Sequence, residues 1–93
     1  MTELQVSFRA RGRVQHVGFR FFVLDSAQSL RLAGWVRNDF DGSVSGEVGG
    51  EVQRVEAFRS LLLEGNGCAR VDGLDWTPRM EGQSLPFPFE IRR

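Results

Sequence analysis

The chain has 93 residues, the usual span of one domain, so a single hydrophobic core over 1–93 is expected, with no second functional module. Its 12 Lys or Arg residues balance 12 Asp or Glu residues, and no basic run tracks along it, which argues against nucleic-acid binding. The lone Cys68 excludes an intrachain disulfide, and neither a leader-like start nor an apolar run of about eighteen residues is present, so a cytoplasmic protein away from the membrane is expected.

Leu4, Val6, Phe8 and Ala10 alternate with Gln5, Ser7, Arg9 and Arg11, the period of a strand with one buried face. A turn-like stretch with two glycines, 12–18, follows. Phe19, Phe22, Val23, Ala27 and Leu30 then recur at spacings of three and four, which predicts a helix that stops before Gly34. Residues 35–38 make a short strand, and Asp39-Phe40-Asp41-Gly42 supplies turn chemistry leading into the alternating strand 43–48, a hairpin.

Gly49-Gly50 is expected to break that strand before a second helix, whose apolar face is Val52, Val55, Phe58, Leu61 and Leu62 and whose end is marked by Gly65-Asn66-Gly67. Ala69 and Val71 alternate in one phase and Leu74 and Trp76 in the other, so a β-bulge at Gly73 is expected within the fourth strand. Phe87, Phe89 and Ile91 predict a fifth, and Pro88 among them places it at a sheet edge.

The order β-α-β-β-α-β with a terminal edge strand predicts an α+β, ferredoxin-like split βαβ sandwich: an antiparallel five-stranded sheet with both helices on one face. Because that topology hosts many functions, the function has to be read from a site.

The 12–18 stretch joins a strand to a helix start. Its backbone N–H groups, those of Gln15, His16, Val17, Gly18 and Phe19, together with the positive helix end, can cradle a phosphate-sized anion. Arg20 in the first helical turn can reach over that cradle, where its planar fork would contact two phosphate oxygens. Arg9, Arg11 and Arg13 add local positive field. His16 has no second His or Cys at ligand spacing, so no metal site is expected. Asp25, Asp39 and Asp41 read as solvated caps and turn residues outside the site, and Cys68 lacks the neighbours of a nucleophile. A K/R-G-F/Y type RNA-binding strand is missing, since 43–48 carries no aromatic.

The string Gly12-Arg13-Val14-Gln15, then Val17, Phe19 and Arg20, resembles the first signature of the acylphosphatase family. Gly34-Trp35-Val36-Arg37-Asn38, then Gly42, Val44 and Gly50, resembles its second, and Phe89-Glu90-Ile91-Arg92 resembles its carboxyl-terminal segment. This chain carries His16 where the family pattern has glycine, and Ala10 where a larger aliphatic residue is usual.

The resemblance implies a cofactor-free, metal-independent hydrolase of acyl phosphates, with Arg20 and Asn38 as its catalytic residues. It also implies phosphate held by the 15–19 loop and inorganic phosphate as product; related domains also occur in a larger hydrogenase maturation protein, but this chain carries no zinc-finger cysteines, so a free-standing enzyme, and a monomer, is expected. The alternative from another class is a non-catalytic ferredoxin-like module that binds a small molecule or regulates.

Overall fold

The computed structural model describes residues 3–79 and 84–93. Its elements run β1 (Glu3–Arg13), α1 (Phe19–Ser29), β2 (Ala33–Asn38), β3 (Val44–Glu51), α2 (Val52–Glu64), β4 (Arg70–Arg79) and β5 (Glu90–Ile91). They form one five-stranded sheet in the order β4-β1-β3-β2-β5, the expected split βαβ arrangement with β5 at an edge. No helix among the described residues is long and apolar enough to cross a membrane.

The alternation in β1 puts Val6, Phe8 and Ala10 on the helix side, where they are buried with Val36 of β2, Val44 and Val48 of β3, Phe19, Val23 and Ala27 of α1, and Val55, Phe58 and Leu62 of α2. Phe58 is the hub of this layer: its ring meets Phe8 edge-on at 5.5 Å between centroids and Phe89 at 6.1 Å. Edge-to-face contact of that kind adds about 0.5–1.5 kcal/mol beyond the area buried. β1 is hydrogen-bonded on both sides, to β3 and to β4, and it is this interior strand that delivers the chain into the loop before α1.

A bulge is present, one residue before the expected Gly73. Arg11 pairs with Gly73 and Gly12 with Val71, so Asp72 is the extra residue that switches the inward phase of β4.

Several expectations are corrected. The sheet is mixed rather than antiparallel, because β5 pairs with β2 in parallel, Trp35 opposite Glu90 and Val36 opposite Ile91. β5 covers only two of the five expected residues, and although Phe89 is buried at 1% exposure, Phe87 is 67% exposed. Gly49 and Gly50 do not break β3, which continues to Glu51 because both glycines remain paired to β1, opposite Gln5 and Leu4. Likewise Gly12 belongs to β1, so the loop that follows is shorter than 12–18.

Gly34 does not stop α1. The left-handed position after that helix is taken by Arg31 at φ 56°, while Gly34 lies inside β2 at φ 140°. Its role is close approach: a Cβ there would run into the Glu47 carbonyl and come within 2.8 Å of the Phe89 ring. Gly34→Ala should therefore combine backbone strain with overpacking and destabilise the protein by about 3 kcal/mol, lowering Tm by roughly 12–24 °C. Denaturant unfolding followed by tryptophan fluorescence checks this, and a cost below about 1 kcal/mol would mean that the Phe89 contact is loose.

Candidate active site

Where β1 ends, Val14 turns inward and is buried at 1% exposure, which fixes the start of the loop leading to α1. Two left-handed residues follow at alternate positions, His16 at φ 64° and Gly18 at φ 76°. Such alternation curls successive N–H groups toward one side of the chain and makes a concave anion site. His16 thus takes the positive φ that glycine would adopt freely, as histidine can at modest cost.

Gly18 is also the N-cap of α1. No side chain caps the helix and its first turn carries no acidic residue. The first intrahelical bond runs from Phe22 N–H to the Gly18 carbonyl at 3.0 Å, so the N–H groups of Phe19, Arg20 and Phe21 have no partner inside the helix. The positive helix end therefore faces the loop uncompensated.

A cavity of about 120 Å³ opens at this point, lined by Val14, His16, Gly18, Phe19, Arg20, Phe21 and Asn38. The structure thereby brings together Arg20, at the start of α1, and Asn38, the last residue of β2. His16, Gly18 and Phe19 also line the cavity, whereas Val17 and Gln15 do not.

Among the described residues, two side-chain polar atoms are buried without a hydrogen-bond partner: Arg20 Nε and Asn38 Oδ1. The residues that carry them, Arg20 and Asn38, both line this cavity. Arg20 stands apart in charge as well. Arg9, Arg11, Arg37, Arg54, Arg70, Arg79 and Arg92 are ion-paired with carboxylates; of the five arginines with no carboxylate partner among the described residues, Arg13, Arg31, Arg59 and Arg93 are exposed and Arg20 alone is half-buried, its guanidinium carbon 6.0 Å from the Phe21 ring centroid. A desolvated donor on an uncompensated cation, beside a desolvated acceptor, suits a ligand that is anionic and water-bearing.

Gln15 acts through its side chain, a role the sequence did not disclose. Its Nε2 donates to the main-chain carbonyls of Asp39 at 2.7 Å and Ser43 at 2.9 Å, tying the loop to the β2–β3 turn just beyond Asn38. The bonds span 24 and 28 positions, and only the folded register brings these groups together.

Asp39 is not the solvated turn residue expected from sequence. Its side chain is 12% exposed, pairs with Arg37 at 3.1 Å and Arg9 at 3.9 Å, and accepts from Ser43 Oγ at 2.9 Å. Asp41 shares the single Ser43 hydroxyl proton with Asp39 and accepts from Ser43 N–H, and these bonds hold its carboxyl below the usual range. Both carboxylates are thus engaged by the turn.

A family model described as Acylphosphatase matches residues 6–91. An acylphosphatase of Salinibacter ruber is 46% identical over 74 residues, covering 80% of this chain and 78% of that protein. One of Rhizobium etli is 40% identical over 86 residues, covering 92% of this chain and 90% of the relative. The crystal structure of acylphosphatase from Bacillus subtilis superposes with a TM-score of 0.91 at 32% identity, covering 97% of this chain and 99% of that one.

Since what the loop requires at position 16 is a left-handed residue, His16→Gly should preserve or tighten inhibition by inorganic phosphate and leave kcat within about fivefold. Steady-state kinetics of the two proteins decide it. A loss of a hundredfold or more at every pH would place the imidazole in the mechanism.

Proposed function

The chain belongs to the acylphosphatase family, and from that premise we propose that it hydrolyses the carboxyl–phosphate bond of acyl phosphates, with Arg20 and the 15–19 loop amides binding the phosphoryl group and Asn38 positioning the attacking water. The observation that supports this most directly is the pair of buried, partnerless atoms, Arg20 Nε and Asn38 Oδ1, on two residues that line one cavity.

The chemistry asks little of the protein. The leaving carboxylate has a conjugate acid of pKa about 4.3, by analogy with a glutamate side chain, so it departs without protonation. What remains is to offset the charge on the phosphoryl oxygens and to hold a water in line with the breaking P–O bond. Arg20 supplies donors to those oxygens in a fork that lysine cannot reproduce. The N–H groups of the loop and of the first turn of α1 supply the rest, oriented before the substrate arrives.

Asn38 Oδ1 accepts a hydrogen bond from the water and so turns an oxygen lone pair toward phosphorus. An amide is not a base near neutrality, and the water's proton passes to the phosphate itself or to solvent. The new P–O bond forms as the acyl–oxygen–phosphorus bond breaks, giving carboxylate and inorganic phosphate with no covalent enzyme intermediate. Asn38 also borders a larger, open cavity of about 690 Å³ shared with Gln15, Arg37 and Phe40.

Arg20→Ala should lower kcat/KM for benzoyl phosphate by roughly 10²–10³-fold and weaken phosphate inhibition, with Arg20→Lys close behind. Asn38→Ala should lower kcat by about 10²-fold while phosphate inhibition stays within about threefold, because positioning water is separate from binding phosphate. Assays in excess chelator measure both, and near-normal activity of Arg20→Ala would end this mechanism.

Glycerol phosphate should be hydrolysed at no more than a trace rate, since its alkoxide needs an acid that neither Arg20 nor Asn38 can provide. Comparable rates on the two substrates would require a general acid elsewhere in the site.

A further inference from the structure

Asn66 sits between two glycines in the turn after α2, and both ends of its amide are engaged. Oδ1 accepts from the N–H groups of Cys68 at 3.0 Å and Ala69 at 2.8 Å, closing the turn on itself. Nδ2 reaches across 49 positions to donate to the Val17 carbonyl at 2.9 Å. That bond is the contact of interest, because it fixes which way one peptide of the phosphate loop faces.

In a trans peptide the C=O and the following N–H point to opposite sides. With the Val17 carbonyl held toward the α2–β4 turn, the N–H of Gly18 is directed the other way, and Gly18 lines the cavity of Arg20 and Asn38 while Val17 does not. Gly18 needs its φ of 76° to begin α1, and glycine is the residue that adopts this most freely. The same freedom makes rotation of the Val17–Gly18 peptide inexpensive. A rotated peptide would aim a carbonyl oxygen, rather than an N–H, at a bound phosphate.

We propose that Asn66 is a positioning residue for phosphoryl binding: by holding the Val17 carbonyl, it biases the Val17–Gly18 peptide to the orientation that presents the Gly18 N–H to the phosphate. The proposal rests on the acyl phosphate reading above and adds to it a residue on a different turn, outside the motifs that resemble the family signatures.

Two variants separate this role from that of a turn former. Asn66→Asp keeps an acceptor for the Cys68 and Ala69 N–H groups but loses the donor to Val17. Asn66→Ala loses both and carries no charge, so a loss shared by the two variants is not a repulsion by the new carboxylate. In both, Ki for inorganic phosphate and KM for benzoyl phosphate should rise by about three- to tenfold, the worth of one hydrogen bond, with kcat within about twofold, since the Gly18 N–H contacts substrate and transition state alike. The Gly18 amide resonance should also shift less on titration with inorganic phosphate than it does in the wild-type protein.

Unchanged Ki and KM in folded variants, even with a lowered Tm, would overturn the proposal and leave Asn66 a turn former. A fall in kcat at unchanged Ki would overturn it too. Should Asn66→Ala fail to fold, Asn66→Asp carries the test alone, read at neutrality, where the ionised carboxyl has no proton to donate to Val17, and at a pH low enough to protonate it, where the regained O–H donor should bring Ki back toward that of the wild type at the same pH. A wild-type protein that neither binds phosphate nor hydrolyses benzoyl phosphate removes the functional reading, and this role with it. An active wild type with unaffected variants removes this role only.

Discussion

One side-chain amide sets the relation between the two halves of the site. Gln15 Nε2 has two hydrogens and uses them on two main-chain carbonyls, those of Asp39 and Ser43. The loop that carries the anion cradle and the turn that follows Asn38 are far apart in sequence and belong to strands that are not neighbours, β1 and β2, with β3 between them. Sheet pairing alone fixes β1 to β3 and β3 to β2, but the loop beyond β1 could still swing. The Gln15 bridge removes that freedom, so that Asn38 stands at a set distance from Arg20. A displacement of about 1 Å in such a constellation is enough to forfeit much of the advantage of positioning.

The scaffold around that bridge is stabilised by ordinary means, and the site is where it departs from them. Buried polar atoms in a folded protein are nearly always satisfied, and each exception costs about 1–3 kcal/mol. Arg20 Nε and Asn38 Oδ1 are two such exceptions at one cavity. The aromatic cluster of Phe8, Phe58 and Phe89 beneath the sheet and the double pairing of β1 offset that cost elsewhere. On the proposed reading, donor and acceptor are consequently in place before a ligand arrives.

Much of this was legible in the sequence because it depends on local pattern. Alternation in β1, the three-four spacing of Phe19, Val23 and Ala27, and the phase reversal between Val71 and Leu74 each report a backbone period, and the structure has all three. The readings that failed treated glycine as punctuation. Gly34 and Gly50 lie within strands, where the absence of a side chain admits the Phe89 ring in one case and Leu32 in the other, and only the neighbours across the sheet reveal this. The parallel pairing of β5 was illegible for the same reason, since it depends on how the chain returns to β2. At the site, residue types at local spacing suggested the cradle and Arg20, and the resemblance to a family added Asn38. The side-chain duties of Gln15 and Asn66 depend on carbonyls 24 to 49 positions away, which no local pattern contains.

Charge at the site is organised by exclusion as much as by attraction. A carboxylate free to face the cradle would repel the phosphoryl oxygens, and Asp39 directly follows Asn38. Its side chain is instead held by Arg37, Arg9 and Ser43, and Asp41 by Ser43 and Arg9, so the negative charge of the β2–β3 turn is compensated within the turn. Arg9, which from sequence alone looks like a contributor to a basic field, is occupied in that task together with Arg37. The result is a division of labour among the arginines: those on the open face of the sheet neutralise the turn, and Arg20 is left as the partly buried cation without a carboxylate partner among the described residues. On the proposed reading, a phosphoryl group entering the cavity would meet one positive charge and a row of N–H groups. For a substrate whose leaving group departs as a stable anion, that would be enough for catalysis to rest on geometry.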